Sequence, residues 1–165
     1  MSGFKKAALI LLILCSCVGC DQVTKSLARD YLSLPQPIRL LGDVFRFQYI
    51  ENTGAFLGLG ASLPPAVRFW SFGVSVALLL IGTLVFMWTS EEINRLGILG
   101  GSLVVGGGLG NLIDRLLHNG AVVDFMNMGV GRLRTGVFNV ADVAVMAGVG
   151  LLFLGVLRTG HKESM

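Results

Sequence analysis

Two aspartates in a chain rich in apolar residues are the strongest candidates for chemistry. Asp124 lies in the sequence Val-Val-Asp-Phe, and Asp142 precedes an uncharged run over residues 143–157. Burial disfavours a charged carboxylate, so an aspartate at membrane depth indicates a functional site with a partner group. Two carboxylates held close together share a proton, which leaves one as a base and the other as an acid. We therefore expect Asp124 and Asp142 to form one acid–base pair, while a helix cap at Asp142 is the structural alternative.

The composition places these aspartates in a membrane protein. Hydrophobic residues make up 53% of the 165-residue chain and charged residues 14%, against roughly 45–50% and 25% in soluble domains. Residues 69–89 and 96–113 carry no charge, and each run is close to the roughly 20 residues that cross a bilayer. Residues 7–20 and 143–157 are shorter runs, which become long enough when their polar ends also enter the membrane.

The sequence thus predicts an integral membrane protein that is mainly α, with four transmembrane helices and a small outer-face β-sheet. We expect a single domain over residues 1–165. The predicted spans are residues 4–22, 68–90, 95–113 and 139–158, and the predicted extramembrane β segment covers residues 31–65.

The two longer connections differ in their predicted structure. Residues 45–50 alternate apolar and polar side chains and are rich in aromatics, which is typical of a strand. We expect Phe45, Phe47 and Tyr49 to share one side of the sheet and to rest on the membrane interface. The second connection, residues 114–137, contains several glycines and is predicted to be a mobile loop around Asp124.

The alternation of four spans places Asp21, Asp114 and Asp142 on one side of the membrane. Lys5 and Lys6 precede the first span, so the positive-inside rule favours a cytoplasmic N-terminus. Both termini are then cytoplasmic, and the carboxylates gather near the outer face. On that face we expect carboxylates or lipid headgroups to hold three basic side chains, which are Lys25, Arg29 and Arg115.

Five short blocks of sequence together resemble one known family. They are Asp21-Gln22-Val23-Thr24-Lys25, Asn52-Thr53-Gly54-Ala55, residues 107–115 (Gly-Gly-Leu-Gly-Asn-Leu-Ile-Asp-Arg), Val123-Asp124-Phe125 and Phe138-Asn139-Val140-Ala141-Asp142. Their order is that of the lipoprotein signal peptidases, also called signal peptidase II. This family consists of bacterial inner-membrane aspartic proteases that remove the signal peptide from diacylglyceryl-modified prolipoproteins, cutting before the lipidated cysteine.

The resemblance implies a role for each matched polar residue. Asp124 and Asp142 become the catalytic pair, which activates a water molecule and stabilises the tetrahedral intermediate. Asn52, Asn111 and Arg115 would hydrogen-bond the substrate backbone, and Asn139 would steady Asp142. For the remaining residues the spacing favours structural roles. Asp21 and Lys25 form a helical i,i+4 pair, and Asp114 with Arg115 is predicted to be a charge-neutralising pair at a helix end.

The resemblance also implies which molecules the protein binds and which it does not. The substrates would be diacylglyceryl-modified prolipoproteins presented from membrane lipid, so we expect little or no cleavage of an unlipidated precursor. Globomycin-like cyclic peptides would inhibit, and the protein is expected to be a monomer that binds no nucleic acid. We expect no metal and no organic cofactor, because the two histidines, His118 and His161, lack the spacing of a zinc protease.

Two alternatives stay open at this point. Lys5 and Lys6, an apolar run and three cysteines (Cys15, Cys17 and Cys20) resemble a lipoprotein signal sequence, which would give a lipid-anchored, noncatalytic membrane protein. A catalytically inactive relative of the peptidases is the second alternative. The chain also departs from the family pattern in two places, with Phe56-Leu57-Gly58 directly after Ala55 and with Arg132-Leu133-Arg134-Thr135-Gly136 before the Phe138 block.

Overall fold

A computed structural model of the chain describes residues 3–55, 58–91 and 93–163, with side chains as far as residue 158. The sequence departure at Phe56 and Leu57 and the side chain of His161 lie outside these described parts. Four helices dominate the fold: α1 Gly3–Tyr31, α2 Pro65–Thr89, α3 Arg95–Leu117 and α4 Val140–Glu163. Each is long and apolar enough to cross a membrane, and this confirms the predicted mainly α membrane fold.

Helix α1 continues to Tyr31, beyond the span predicted to end at residue 22. Its polar residues do not end the helix, because Asp21 and Lys25 are both buried in the bundle and pair with each other. Thr24 likewise satisfies its hydroxyl within the helix, by donating to the carbonyl oxygen of Cys20. The last turns of α1 therefore carry polar side chains into the core of the site.

Helix α2 is continuous but not uniform. It starts with an α-helical turn at Pro65–Arg68, passes through a π-helical turn at Phe69–Val74 and resumes as α-helix over Ser75–Thr89. A proline at the first helical position suits its fixed backbone angle and its missing N–H donor. A π-helical turn is wider than an α-helical turn, and π-helical turns within α-helices often mark functional sites.

The small sheet has four antiparallel strands in chain order: β1 Ile38–Leu40, β2 Phe45–Asn52, β3 Val122–Val130 and β4 Leu133–Arg134. Strands β1 and β2 confirm the predicted sheet. The prediction of a mobile loop over residues 114–137 is wrong, because nine of its residues form β3. The first half of β3 is buried, so its apolar residues form a nearly continuous run without the alternation that signals an exposed strand.

The predicted aromatic face of β2 is interrupted between Phe47 and Tyr49. The register of β2 against β3 shifts between Phe47 and Ile50, and such a bulge breaks the alternation of side chains along a strand. Phe47 lies beside the last turns of α1, where it lines an apolar cavity with Ala28 and Tyr31. The sheet is therefore fastened to α1 by this aromatic side chain.

Glycines allow α3 to pack closely in the centre of the bundle. A Cβ atom at Gly107 would lie 2.4 Å from the carbonyl oxygen of Ala141, and one at Gly148 would lie 2.6 Å from the carbonyl oxygen of Gly100. Such distances are too short for any real side chain, so the α3–α4 contact requires glycine on both helices. The glycines around Gly107 therefore serve tight packing.

Two glycines of α4 provide a test of this packing and its control. Gly148→Ala should lower the free energy of unfolding by about 1–3 kcal/mol, because the new methyl group overpacks the contact with Gly100. Gly150→Ala is the matched control, since no atom lies within 4 Å of the added Cβ, and alanine is the better helix former by about 1 kcal/mol. Thermal unfolding in detergent should show a lower midpoint for the first variant only, and equal midpoints would contradict this packing.

Candidate active site

Asp124 is held at one end of the sheet by two asparagines. It lies opposite Ile50 in the register of β2 and β3, so Asn52 is its diagonal neighbour across the strands. The Nδ2 atom of Asn52 donates to Asp124 Oδ2 at 3.0 Å, and Nδ2 of Asn139 donates to Asp124 Oδ1 at 2.7 Å. Each carboxylate oxygen thus has one amide donor, and the residue is buried with 3% of its surface exposed.

Asp142 lies in the first turn of α4 and caps it. Its backbone N–H donates to Asn139 Oδ1 at 2.9 Å, and its own Oδ2 accepts from the backbone N–H of Asn139 at 3.1 Å. This reciprocal arrangement is of the capping-box type. The second oxygen, Oδ1, accepts from Nδ2 of Asn111 at 2.9 Å. The structural alternative for Asp142 is therefore present, and the carboxylate still faces the other site residues.

Asn139 joins the two aspartates. Besides its contacts with Asp142, its Nδ2 atom donates to Asp124 Oδ1, to Asn111 Oδ1 at 3.0 Å and to the carbonyl oxygen of Val123 at 3.2 Å. The side chain is fully buried. The resemblance implied contact with Asp142 only, so the link to Asp124 is a finding of the structure.

A buried ion cluster lies directly beneath these residues. The Nζ atom of Lys25 is 2.7 Å from Asp21 Oδ2 and 3.0 Å from Asp114 Oδ2, and the exposed fractions of all three side chains are 3% or less. The predicted pair of Asp21 and Lys25 is confirmed. The predicted pair of Asp114 and Arg115 is wrong, because adjacent helical residues point in different directions and Asp114 points toward Lys25.

The ion cluster holds the immediate neighbours of both candidate aspartates. Asp21 Oδ1 accepts from the backbone N–H of Ala141 at 2.9 Å, and Asp114 Oδ2 accepts from the backbone N–H of Val123 at 2.9 Å. Lys25 donates to Asn111 Oδ1, also at 2.9 Å. Backbone contacts of this kind leave no side-chain signal in the sequence, and they were not predicted.

Gln22 is a further site residue that the sequence did not single out. Its Nε2 atom donates to Asp114 Oδ1 at 2.9 Å and lies within 3.3 Å of Asp21 Oδ2. The residue therefore adds a neutral donor between the two carboxylates. The sequence did contain one signal for this residue, which is its place in the family-like block that begins at Asp21.

Arg115 and Asn52 meet at a tight turn. Gly54 donates its N–H to Asn52 Oδ1 at 2.9 Å and accepts from Arg115 Nη2 at 3.0 Å through its carbonyl oxygen. A Cβ atom at Gly54 would lie 2.5 Å from the carbonyl oxygen of Leu59, so this turn requires glycine.

The expected partners of the basic side chains are found only in part. A carboxylate partner is confirmed for Lys25. In the described part of the chain, Arg115 donates to the carbonyl oxygens of Gly54 and Asn111 and has no carboxylate within 4 Å. Arg29 places its Nη2 atom 2.7 Å from His118 Nε2, again without a carboxylate in salt-bridge contact.

The candidate residues enclose one small cavity of about 130 Å³. Both Asp124 and Asp142 line it, together with Asn52, Asn111 and Arg115. Burial raises the pKa of Asp124 to about 6, and the nearby charge of Asp142 acts in the same direction against the hydrogen bonds from Asn52 and Asn139. Two carboxylates, of which one holds its proton more tightly than a free aspartic acid, thus face a space large enough for water.

A family model described as signal peptidase (SPase) II matches residues 13–158. The chain belongs to the signal peptidase II family. The matched region includes most of α1, all of α2 and α3, the sheet and most of α4. A signal peptidase II is an aspartic endopeptidase of bacterial membranes, and the four apolar helices of this chain agree with that membrane setting.

Individual relatives of this signal peptidase II cover nearly the whole chain. The lipoprotein signal peptidase of Syntrophotalea carbinolica is 36% identical over 155 residues, which is 94% of each protein. The lipoprotein signal peptidase of Brevibacillus brevis is 35% identical over 146 residues, covering 88% of this chain and 93% of the relative. These similarities support a peptidase rather than a lipid-anchored, noncatalytic protein.

Solved structures show the same fold. A bacterial membrane enzyme aligns with 92% of this chain at a TM-score of 0.78 and 28% identity, and 88% of its own length is covered. A second structure of a bacterial membrane enzyme gives a TM-score of 0.77 at 25% identity, covering 91% of this chain and 93% of the other. The arrangement of helices and sheet is therefore shared with known membrane enzymes.

Lys25 should be essential for the stability of this signal peptidase II. Lys25→Met leaves Asp21 and Asp114 buried without their cation, and breaking a buried pair in this way costs about 3–5 kcal/mol. Lys5→Met removes an exposed lysine from the same helix and should change stability by less than about 0.5 kcal/mol. Thermal unfolding of both variants in detergent measures the difference, and a Lys25→Met midpoint equal to that of Lys5→Met would refute the role of the cluster.

Proposed function

We propose that Asp124 and Asp142 are the catalytic dyad with which this signal peptidase II cuts a diacylglyceryl-modified prolipoprotein before its lipidated cysteine. The observation that carries the proposal is the shared cavity, which both carboxylates line from different elements. Neutral amide donors hold the four carboxylate oxygens, and among the described side chains no cation is bound to either aspartate to fix its charge. Both groups are thus free to exchange a proton with each other or with water.

The surroundings of the two aspartates favour different roles. Asp142 lies at the N-terminus of α4, where the positive end of the helix dipole stabilises a negative charge. Asp124 lies on a strand, and burial raises its pKa to about 6. We therefore assign Asp142 as the base and Asp124 as the group that carries the proton.

The proposed reaction balances with one water molecule and one shared proton. Asp142 takes a proton from the water while the water oxygen attacks the scissile carbonyl carbon. Asp124 gives its proton to the carbonyl oxygen, which yields a neutral tetrahedral diol. When the C–N bond breaks, the leaving nitrogen takes the proton held by Asp142, and a diol hydroxyl returns a proton to Asp124.

The three residues proposed to bind substrate differ in their remaining donors. Asn52 already uses Nδ2 on Asp124 and on the carbonyl oxygen of Ala55, so its main task is to hold Asp124 and the turn that follows β2. Asn111 has one Nδ2 hydrogen engaged by Asp142, which leaves the other for substrate. Arg115 has a buried Nε with no partner. Arg115 is thus the best donor for a substrate carbonyl group.

The proposed topology rests on the placement of the site and on the charge of the N-terminus. The end of α1, the start of α2, the end of α3 and the start of α4 lie at the same end of the bundle, beside the sheet. With the N-terminus in the cytoplasm, as Lys5 and Lys6 favour, the dyad lies near the outer face of the bacterial inner membrane. We propose that residues 1–165 act there as one monomeric domain, on lipid-presented prolipoproteins and without metal or nucleic acid. Globomycin-like cyclic peptides would compete for the same cavity.

Replacement of either aspartate should abolish cleavage. Asp124→Asn cannot deliver the proton, and Asp142→Asn cannot accept one from water, so each should lower kcat by at least about 10³-fold. Asp30→Asn removes an exposed carboxylate near the end of α1 and serves as the matched control with unchanged activity. The assay is gel-shift cleavage of a diacylglyceryl prolipoprotein by the purified proteins in the presence of EDTA. Cleavage that survives in both dyad variants would overturn the proposal.

A further inference from the structure

A second cavity lies beside the dyad cavity and shares one residue with it. It measures about 250 Å³ and lies between the start of α2 and the end of α3, where its lining includes Arg68, Phe69, Leu112, Arg115 and Leu116. Arg115 lines both cavities. A group bound in the second cavity is therefore separated from the dyad by a single side chain.

The polar part of this cavity consists mainly of two arginines. Arg68 donates through Nη1 to the carbonyl oxygen of Ala61 at 3.2 Å, and no carboxylate lies within 4 Å of it in the described part of the chain. Arg115 also donates only to carbonyl oxygens, and its buried Nε has no partner. Buried donors of this kind cost free energy unless they are satisfied, so the cavity fits a ligand rich in acceptor oxygens.

The apolar part of the cavity faces the lipid. Phe69 is 56% exposed and Leu116 is 69% exposed, and both belong to helices that can cross the membrane. Trp70, also exposed, lies beside Phe69 near the start of α2, where the membrane interface favours aromatic residues. An amphipathic ligand can therefore enter from the bilayer with its polar end toward the arginines.

The π-helical turn of α2 shapes this cavity. Phe69 and Gly73, which belong to the turn, line the cavity, and the ring of Phe72 lies under the Arg115 guanidinium at 5.9 Å. A cation over an aromatic face is attracted to it without losing its hydrogen-bond donors. The π-helical turn thus leaves space beside Arg115 and holds its guanidinium group between the two cavities.

We propose that this second cavity binds the glyceryl ester part of the substrate's diacylglyceryl group. The ester carbonyl oxygens accept hydrogen bonds from Arg68 and Arg115, and the acyl chains leave the cavity along Phe69 and Leu116 into the bilayer. This inference rests on the proposed function, in which the lipidated cysteine directly follows the scissile bond. The glyceryl group is then only a few bonds from the reacting carbonyl, which matches the spacing of two cavities separated by Arg115.

Arg68 offers the cleanest test because it does not line the dyad cavity. Kinetics of Arg68→Gln should be measured on two substrates that differ only in the lipid, one with ester-linked chains and one with ether-linked chains that lack carbonyl oxygens. We expect about a tenfold increase in KM for the ester substrate with kcat within twofold of wild type, since a hydrogen bond to a charged group is lost. The KM for the ether substrate should change less than twofold. Arg95→Gln, an exposed arginine at the other end of α3, is the control.

The possible outcomes separate this inference from the function on which it rests. Equal changes in KM for both substrates, or none for either, would overturn the ester site while wild-type cleavage leaves the peptidase function intact. The same kinetics should be repeated with the enzyme in nanodiscs of different anionic phospholipid content. A change in KM that depends on this content, and not on the ester groups of the substrate, would assign the cavity to membrane phosphate and would also overturn the ester site. Absence of cleavage by the wild-type enzyme would refute the proposed function and this inference together.

Discussion

The whole site depends on one ammonium group between two buried carboxylates. Lys25 donates to Asp21, to Asp114 and to the side chain of Asn111, which uses all three of its hydrogens. The two aspartates also accept from the side chain of Gln22 and from the backbone N–H groups of Ala141 and Val123. A buried ion pair is rarely worth its desolvation cost for stability alone. Here it fixes the first turn of α4 and the first half of β3, which carry the two aspartates of the proposed dyad.

In the proposed dyad, the surroundings of the two aspartates differ because of the elements that the cluster brings together. A strand supplies Asp124, so its charge is opposed by burial, whereas a helix N-terminus supplies Asp142 and stabilises its charge. Asn139 connects the two, because it caps α4 and also donates to Asp124. Moving either element would break this asparagine's contacts, so the distance between the carboxylates and the difference in their surroundings are set by the same residues.

Local patterns in the sequence predicted those features of the fold that depend on residues close together in the chain. The uncharged runs indicated four helices, the alternation in β2 indicated a strand, and the spacing of Asp21 and Lys25 indicated a pair. The partner of Asp114 was mistaken because a residue 89 positions away in the sequence, Lys25, competes with its neighbour Arg115. Strand β3 was missed because burial removes the alternation that marks a strand. The resemblance predicted which two aspartates form the proposed dyad, but the hydrogen bonds that hold them depend on contacts between distant segments, which no spacing reveals.

In the proposed mechanism Arg115 connects this framework to the substrate, since it borders the dyad cavity and the lipid-facing cavity alike. The central claim, however, concerns the proton between the aspartates. Infrared difference titration in detergent measures it directly, through the carbonyl stretch of a protonated carboxylic acid. Because burial raises the pKa of Asp124 to about 6, we predict a band that titrates near pH 6, is lost in Asp124→Asn and persists in Asp142→Asn. A band that remains in Asp124→Asn, or that is lost only in Asp142→Asn, would contradict the assignment of acid and base.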